Sequence, residues 1–245
     1  MRPLALRTSP YAAGCAVVLA CIASATACGH RDPVAAVATA PAGAARTITF
    51  DDMPVGQPPT GFRCGASGPA SAKPARWQVV AASDAPSPGR VLEQSDNDDT
   101  NGRFPVALVQ DASFADVSVA VAAKAVSGGR DRSFGVVVRA RDERTYYVAR
   151  ANTSGWGENV RFYKLVDGTR SELDEWEGSV APGVWHQLQV DAVGATFTVT
   201  LDGKQVLRVH DTTLPAAGMV GVWTKAESVS QFDNLTITPI KQVVP

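Results

Sequence analysis

The chain has 245 residues, of which 45% are hydrophobic and 19% are charged, and its formal net charge at pH 7 is −1. This composition predicts a globular protein with one large core and gives no reason to divide the chain into two folded domains. Because the 23 Lys and Arg residues form no basic stripe, we expect no nucleic-acid partner.

The first 27 residues have the pattern of a secretory signal peptide. Arg2 and Arg7 form a basic start, and residues 11–27, "YAAGCAVVLACIASATA", carry no charge and end in small residues. Seventeen such residues are too few to span a bilayer comfortably. We therefore predict that residues 1–27 are a signal peptide and that the protein is exported.

A candidate lipidation site follows directly. The sequence "ATAC" at 25–28, followed by Gly29, resembles a bacterial lipobox, which implies that Cys28 is lipidated and becomes the new N-terminus. The sequence "VLAC", which ends at Cys21, is a second candidate, and a plain cleaved signal is a third possibility. The resemblance implies a cell-envelope protein that touches the membrane through its lipid alone. In a Gram-negative host, Gly29 in place of Asp favours the outer membrane.

The lipid assignment decides the state of the remaining cysteine. If Cys28 is lipidated, Cys64 is left alone and no disulfide can form. If Cys28 is not lipidated, a Cys28–Cys64 disulfide can form in an oxidising compartment. Residues 28–45 are rich in Ala and Pro without any period, which predicts a flexible tether. We place the folded domain at residues 46–245.

Short strands dominate the pattern from Arg46 onwards. The runs are rich in β-branched and aromatic residues, and turn sequences separate them, including Asp-Gly at 167–168 and 202–203. In "TFTVTL", Phe197, Val199 and Leu201 alternate with threonines, which predicts one buried and one polar face. About a dozen such strands without a helical period predict an all-β fold: a two-sheet antiparallel sandwich or jelly roll.

The segment "GVWHQLQVDAVGATFTVTLDGKQVLRVHDTTLPAAGMVGVWTKAESVSQFDNLTI" carries a family resemblance. With the preceding "FGVVVRARDERTYYVARAN", it resembles the laminin-G-like branch of the concanavalin A-like lectin/glucanase superfamily over residues 46–240. It is also similar to the domain family described as 3-keto-disaccharide hydrolases. The resemblance implies two curved antiparallel sheets of six or seven strands each, and carbohydrate binding on the concave sheet and its rim loops.

The acidic hexapeptide "ELDEWE" is one candidate site, because it resembles the catalytic strand of glycoside hydrolase family 16. A regular strand would place Glu172, Asp174 and Trp176 on one face, so a β-bulge near Glu175–Trp176 would be needed to bring Glu177 round. Glu175 would then face the core, where an unpaired carboxylate costs several kcal/mol. We interpret the segment as a solvated acidic edge that discourages strand-to-strand aggregation.

A second candidate site combines polar and aromatic side chains on neighbouring strands and the loop between them. Arg and Asn can hydrogen-bond sugar hydroxyls, and a Trp can stack on a pyranose ring. Arg139 interrupts an apolar run, which indicates a side chain that points away from the core. The predicted carbohydrate-binding residues are Arg139, Tyr147, Arg150, Asn152, Trp156, Asn159, Arg161 and Tyr163.

A third candidate is a structural Ca²⁺ site. The motifs "FDDMP" and "FDNL" lie near the two ends of the domain, and the first and last strands of many jelly rolls are neighbours. The predicted oxygen ligands are Asp51, Asp52, Asp233 and Asn234, with the acidic loop "SDNDDTNG" at 95–102 as a rival site. The alternative interpretation is that these Asp and Asn residues only form turns.

These observations together predict an exported envelope lipoprotein whose domain binds a glycan or small saccharide without catalysis. A glycoside-cleaving enzyme, of the keto-disaccharide type or the family 16 type, is the first alternative. A structural module that binds another protein is the second.

Overall fold

A computed structural model describes residues 44–87, 89–154 and 157–241 of the chain, and in these ranges it contains fifteen strands and no helix. All of them belong to one compact unit, Ala40–Pro245. The predicted signal peptide, Cys28, most of the predicted tether and Trp156 lie outside the described residues. The strands are β1 (Arg46–Ile48), β2 (Phe62–Ser67), β3 (Trp77–Ala82), β4 (Gly89–Gln94), β5 (Phe104–Phe114), β6 (Val117–Ser127), β7 (Ser133–Asp142), β8 (Thr145–Asn152), β9 (Asn159–Val166), β10 (Thr169–Glu177), β11 (His186–Val193), β12 (Thr196–Leu201), β13 (Lys204–His210), β14 (Gly218–Thr224) and β15 (Val229–Pro239).

The strands form two antiparallel sheets that pack face to face. Sheet A has eight strands in the order β13-β12-β11-β6-β15-β4-β3, with β1 paired to β15. Sheet B has seven strands in the order β10-β9-β8-β7-β14-β5-β2. The predicted all-β fold, a two-sheet antiparallel jelly-roll sandwich, is confirmed.

The main core lies between the two sheets and follows the alternation seen in the sequence. Phe197, Val199 and Leu201 are buried in it, whereas the intervening threonines of β12 are only partly buried. The predicted hairpin turns at the two Asp-Gly pairs join β9 to β10 and β12 to β13. In both turns the Asp and the Gly have positive φ, which is why Gly is favoured there.

The first and last described strands are neighbours. In sheet A, β1 pairs antiparallel with β15, with Arg46 opposite Ile237 and Ile48 opposite Leu235. Arg46 also forms a bidentate ion pair with Asp111 at 2.7 and 2.8 Å. Within the ranges that the structure describes, no helix is long and apolar enough to cross a membrane.

The outer face of sheet B is concave. Arg170 on β10 places its guanidinium 4.7 Å from the ring centroid of Phe104 on β5, although four strands separate β10 from β5. A flat sheet would hold these two strands about 24 Å apart, so the sheet must curl inward. The ion pair between Arg63 on β2 and Glu143, in the turn between β7 and β8, spans the same face at 2.6 Å. We call this outer face the concave face.

Candidate functional site

The floor of the concave face is a second apolar cluster, separate from the core between the sheets. It includes residues from the five central strands of sheet B, and the Trp223 indole donates a hydrogen bond to the Tyr146 hydroxyl at 3.0 Å within it. Because both faces of these strands are apolar, their sequences are continuous hydrophobic runs such as "FPVALV". The cluster is made of Phe104, Val106, Leu108, Val137, Ala140, Tyr146, Val148, Tyr163, Leu165 and Trp223.

The hexapeptide "ELDEWE" lies on β10, the edge strand of sheet B beside β9. The pairing register shifts between Glu172 and Asp174, so Leu173 forms a β-bulge. Beyond the bulge, Glu175 stands opposite Arg161 of β9. Glu172 and Glu175 therefore share the concave face, while Leu173 packs against the core between the sheets.

Two expectations for a regular strand are therefore wrong: that Glu172, Asp174 and Trp176 share a face, and that Glu175 faces the core. Glu172, Asp174 and Trp176 do not share a face, because the bulge lies at Leu173 rather than near Glu175–Trp176. Trp176 packs on the core, and Asp174 stands opposite the core residue Phe162.

Two of the four carboxylates of β10 form ion pairs with one arginine. Arg161 Nη2 lies 2.5 Å from Glu175 Oε1, and Arg161 Nη1 lies 3.1 Å from Glu172 Oε2. Glu175 is thus an ion-paired surface residue and not the buried unpaired carboxylate that a regular strand would produce. Glu177 follows on the same face, opposite Asn159, and is exposed.

The structure places Arg139 away from the concave face. Arg139 has φ of +52° at an irregularity in β7, and its buried guanidinium lies 5.1 Å from the ring of Phe197, a residue of the core between the sheets. It donates hydrogen bonds to the carbonyls of Ala115, Leu214 and Gly194 at 2.8, 3.2 and 2.5 Å. The side chain therefore holds three loops together at one end of the sandwich instead of facing solvent.

Tyr147 also belongs to the inner side. Its ring packs between Phe162 and Phe197, and its hydroxyl donates a hydrogen bond to Asp211 Oδ1 at 2.5 Å. Burial, together with the adjacent Asp211 carboxylate, raises the pKa of Tyr147 to about 12. These contacts give Tyr147 a structural role, because its ring is fully buried.

Four of the predicted sugar-binding residues meet in one cleft, at the end of the concave face where β8 ends and β9 begins. The cleft has a volume of about 210 Å³. Tyr163 lies beside it, in the apolar floor, with the Arg150 guanidinium 5.9 Å from its ring centroid. The cleft is lined by Arg130, Asp131, Arg150, Asn152, Ser154, Asn159, Arg161 and Lys225.

Hydrogen bonds fix the polar side chains of this cleft. Arg150 donates to the side-chain oxygen of Asn159, on the adjacent strand. The Asn152 side-chain amide donates to Ser154 Oγ at 2.9 Å and to the Gly157 carbonyl at 2.6 Å. The cleft is therefore a preorganised polar surface in which donors outnumber acceptors.

Two other loops, between β6 and β7 and between β14 and β15, contribute charged residues to the cleft. Lys225 pairs with Asp131 at 2.7 Å, and the second carboxylate oxygen of Asp131 is buried without a hydrogen-bond partner among the described residues. Glu227 accepts the backbone N–H groups of Arg130 and Asp131 at 2.6 and 2.9 Å. Sequence reasoning missed Arg130, Asp131 and Lys225, because the loops that carry them meet β8 and β9 only in the folded chain; it also missed Ser154, which lies in the loop that joins β8 to β9.

Arg170 is a further cation on the concave face that sequence reasoning missed. Its guanidinium lies 4.6 Å from the ring centroid of Tyr163 and 4.7 Å from that of Phe104. It forms no hydrogen bond or ion pair with any residue that the structure describes, and its Nη1 is buried. An alternation argument places Arg170 on a face of β10 but cannot show how far the side chain reaches.

The predicted calcium ligands come together only in part. Asp51 Oδ1 accepts the backbone N–H of Arg90 at 3.1 Å, and both carboxylate oxygens of Asp233 accept the Ser87 hydroxyl at 2.9 Å. Burial raises the pKa of Asp233, and repulsion from Asp51 adds to the shift. No group of three or more His, Cys, Asp or Glu residues that could hold a metal ion occurs in the part of the chain that the structure describes. The four predicted ligands are Asp51, Asp52, Asp233 and Asn234.

Comparison with known proteins identifies the fold but no family. No family model matches the chain. A TPR repeat-containing protein of Treponema pallidum (strain Nichols) is 30% identical over 86 residues. The match covers 35% of this chain and spans only 10% of that protein's length.

Solved structures with a similar fold include carbohydrate-binding proteins. The carbohydrate-binding module CBM66 of Bacillus subtilis is 21% identical, with a TM-score of 0.55 over 73% of this chain and 96% of the module. The exoplasmic/lumenal domain of VIP36, in a form bound to Ca²⁺ and Man3GlcNAc, is 11% identical with a TM-score of 0.52 over 76% and 86% of the two chains. A Bacillus subtilis protein of unknown function with a galectin-like fold has a TM-score of 0.50 at 7% identity, over 72% and 88%. The chain therefore has a lectin-type jelly-roll fold.

Proposed function

We propose that the domain binds a saccharide in the cleft at the end of the concave face and does not cleave it. The observation that carries this proposal is the convergence of eight polar side chains on one cleft, at the edge of an otherwise apolar floor. A few fixed polar groups against an apolar, aromatic surface are typical of small-ligand sites. The fold likeness to the CBM66 module and to the saccharide-bound VIP36 domain supports the proposal.

The chemistry of the cleft suits sugar hydroxyls, which both donate and accept hydrogen bonds. Arg150, Arg161 and Lys225 offer N–H donors, whereas Asp131 offers a carboxylate oxygen without a partner among the described residues. Trp156, between β8 and β9 in the sequence, remains the predicted stacking residue. The proposed site retains Arg150, Asn152, Asn159 and Arg161 from the sequence prediction and omits Arg139 and Tyr147.

The absence of catalysis is part of this proposal. A retaining glycosidase uses two carboxyl groups, one of which must be protonated to act as the acid. Of the three carboxylates in the Glu-x-Asp-x-x-Glu motif, Asp174 stands opposite the core residue Phe162 and Glu172 is held in an ion pair by Arg161, so the three do not form a free pair of carboxyl groups on one face. The segment that resembles family 16 therefore holds Arg161 in ion pairs rather than supplying a catalytic pair.

A glycan array tests the proposed function. The wild-type domain should bind a subset of glycans, and Asn159→Ala and Arg161→Ala should each weaken that binding at least tenfold. Arg208→Ala, on an exposed position of β13 in sheet A, is the matched control and should bind like the wild type. Circular dichroism melts confirm that the variants fold. Wild-type binding to no glycan, or equal binding by all four proteins, would overturn the proposal.

Calcium remains a subsidiary proposal at Asp51 and Asp233. The VIP36 domain was solved in a Ca²⁺-bound form, and repulsion between two carboxylates is the condition that a cation relieves. Calcium should raise the melting temperature of the wild type and not that of Asp233→Asn. An unchanged melting temperature at millimolar Ca²⁺ would remove the metal.

Export and lipid anchoring through Cys28 also remain proposals. Metabolic labelling with a radioactive fatty acid in a bacterial host should label the wild type. Cys28→Ala should lose the label and the Cys21→Ala control should keep it. The opposite result would move the lipid to Cys21, and a wild type that takes up no label would favour a plain signal peptide.

A further inference from the structure

We propose that the saccharide bound on the concave face is acidic, and that Arg150 and Arg170, whose guanidinium groups both lie near the Tyr163 ring, recognise its anionic group. This inference rests on the proposed function and names the class of ligand for the same site. The geometry that points to it is a pair of guanidinium groups, 5.9 and 4.6 Å from the ring centroid of Tyr163.

Arg150 differs from the other buried cations of the described chain. Arg103 has Asp96 at 3.3 Å, and Arg139 has Asp116 at 3.6 Å. Lys124 likewise pairs with Asp84 at 2.8 Å. A buried cation costs several kcal/mol unless an opposite charge compensates it, and these three cations follow that rule.

Arg150 forms no ion pair with any residue that the structure describes, although the Asp131 carboxylate, which is paired with Lys225, acts on it from a greater distance. It is 5% exposed, its Nη2 donates to the neutral amide oxygen of Asn159, and its Nε has no partner. Burial lowers the pKa of Arg150, and repulsion from Arg161 and Arg170 adds to the shift, whereas Tyr163 and the Asp131 carboxylate oppose it. Arg161 already has two carboxylate partners, so a bound anion would compensate mainly the charges of Arg150 and Arg170.

Arg170 supplies the second uncompensated charge. Its guanidinium lies within 4.7 Å of two aromatic ring centroids, but no carboxylate of the described residues pairs with it. Two carboxylates of β10, those of Glu172 and Glu175, are already paired with Arg161. A guanidinium fork matches the two oxygens of a carboxylate, so a uronic acid or another carboxylate-bearing sugar fits this site best.

A sulfate group on a sugar could also bind the two guanidinium groups, so the experiment distinguishes carboxylated from sulfated sugars. Affinity gel electrophoresis would compare three polyuronates (polygalacturonate, alginate and hyaluronate) with three neutral polymers (dextran, laminarin and mannan) and with dextran sulfate. We expect retardation by at least one polyuronate, and none after chemical reduction of its carboxyl groups. Stronger binding of the polyuronate than of dextran sulfate assigns the site to carboxylates, and the reverse assigns it to sulfates.

Variants locate the anion on the protein. Arg170→Gln should weaken polyuronate binding at least tenfold, Arg170→Lys should restore part of it, and Arg208→Gln should leave it unchanged. Arg170 is partly exposed, so its substitution should leave the fold intact. Arg150→Gln is the second test, with a melting curve to confirm folding.

The outcomes distinguish this inference from the proposed function. Binding of neutral polymers or neutral array glycans that Arg170→Gln does not affect would overturn the acidic ligand and leave saccharide binding in place. Binding that survives carboxyl reduction would do the same. The absence of binding to every polymer and to every array glycan would overturn both.

Discussion

Arg161 on β9 and Glu175 on β10 face each other at the edge of sheet B, with the guanidinium Nη2 2.5 Å from the carboxylate Oε1. The pairing depends on the bulge at Leu173, which turns Glu175 to the concave face. The ion pair connects the segment that resembles a catalytic strand with the cleft proposed to bind a saccharide. Substituting its carboxylates therefore tests saccharide binding against glycoside cleavage.

Replacing Glu172 and Glu175 together by Gln should strengthen the binding of an acidic polysaccharide by about two- to fivefold. The double change frees Arg161 from two part-exposed ion pairs, each worth about 0.2–1 kcal/mol. Isothermal titration of wild type and variant measures the effect. A reducing-end assay on the same polymers should detect no cleavage by either protein; cleavage that the substitutions abolish would support a glycosidase instead.

Acid should destabilise the domain through Asp98. Hydrogen bonds from the Thr100 hydroxyl and the Lys73 backbone lower the pKa of Asp98 from its usual 3.8 to about 2, and Arg103 lies 3.7 Å away. A lowered folded-state pKa gives stability that is complete above pH 3.8 and is lost as the pH falls towards 2. Urea unfolding at pH 5 and pH 2.5 measures the loss.

Asp98→Asn should reduce the stability at pH 5 and flatten this dependence between pH 5 and pH 2.5. Asp99→Asn, at the exposed neighbouring position, should keep the wild-type profile. Parallel profiles for the wild type and Asp98→Asn would show that Asp98 does not carry the effect.

Tyr146→Phe should cost about 1–3 kcal/mol, because it leaves the buried indole N–H of Trp223 without its acceptor. The loss should appear as a lower denaturation midpoint and as a changed tryptophan fluorescence spectrum of the folded state. A midpoint and spectrum like those of the wild type would mean that the bond contributes nothing to the floor of the concave face.

Gly221→Ala should destabilise the domain by at least about 2 kcal/mol, since an added methyl group would lie 2.1 Å from the Ala107 carbonyl oxygen on the next strand. Gly129→Ala is the control, because the nearest atom to its added methyl group is 4.0 Å away. Thermal melts of the two variants should differ clearly, and similar melting temperatures would contradict the close approach of β14 and β5.

The sandwich architecture could be predicted because it depends on the alternation of residues along each strand and on the residues of each turn. Phe197 and Val199 alternate with threonines, and the strand buries those two residues. The turns at Asp167 and Asp202 adopt the positive φ that Asp-Gly pairs favour. Such features depend on a few adjacent residues, so a single sequence can reveal them.

The site was predicted only in part, because its geometry depends on curvature and on bulges. Arg150 and Asn159 lie together because β8 and β9 are adjacent, and that much follows from the order of the strands. The irregularity at Arg139 moved one predicted ligand to the far end of the sandwich, and the curl of sheet B brought Arg170 over Phe104. Neither effect leaves a periodic trace in the sequence.

The pairing of β1 with β15 has a mechanical consequence. A pull on the chain ahead of Arg46 reaches the domain through three paired residues in sheet A, reinforced by the Arg46–Asp111 ion pair. The cleft lies on the opposite outer surface, in strands that receive this load only indirectly. Tension on the chain ahead of Arg46 should therefore unpair β1 from β15 before it distorts the cleft that holds a bound polymer.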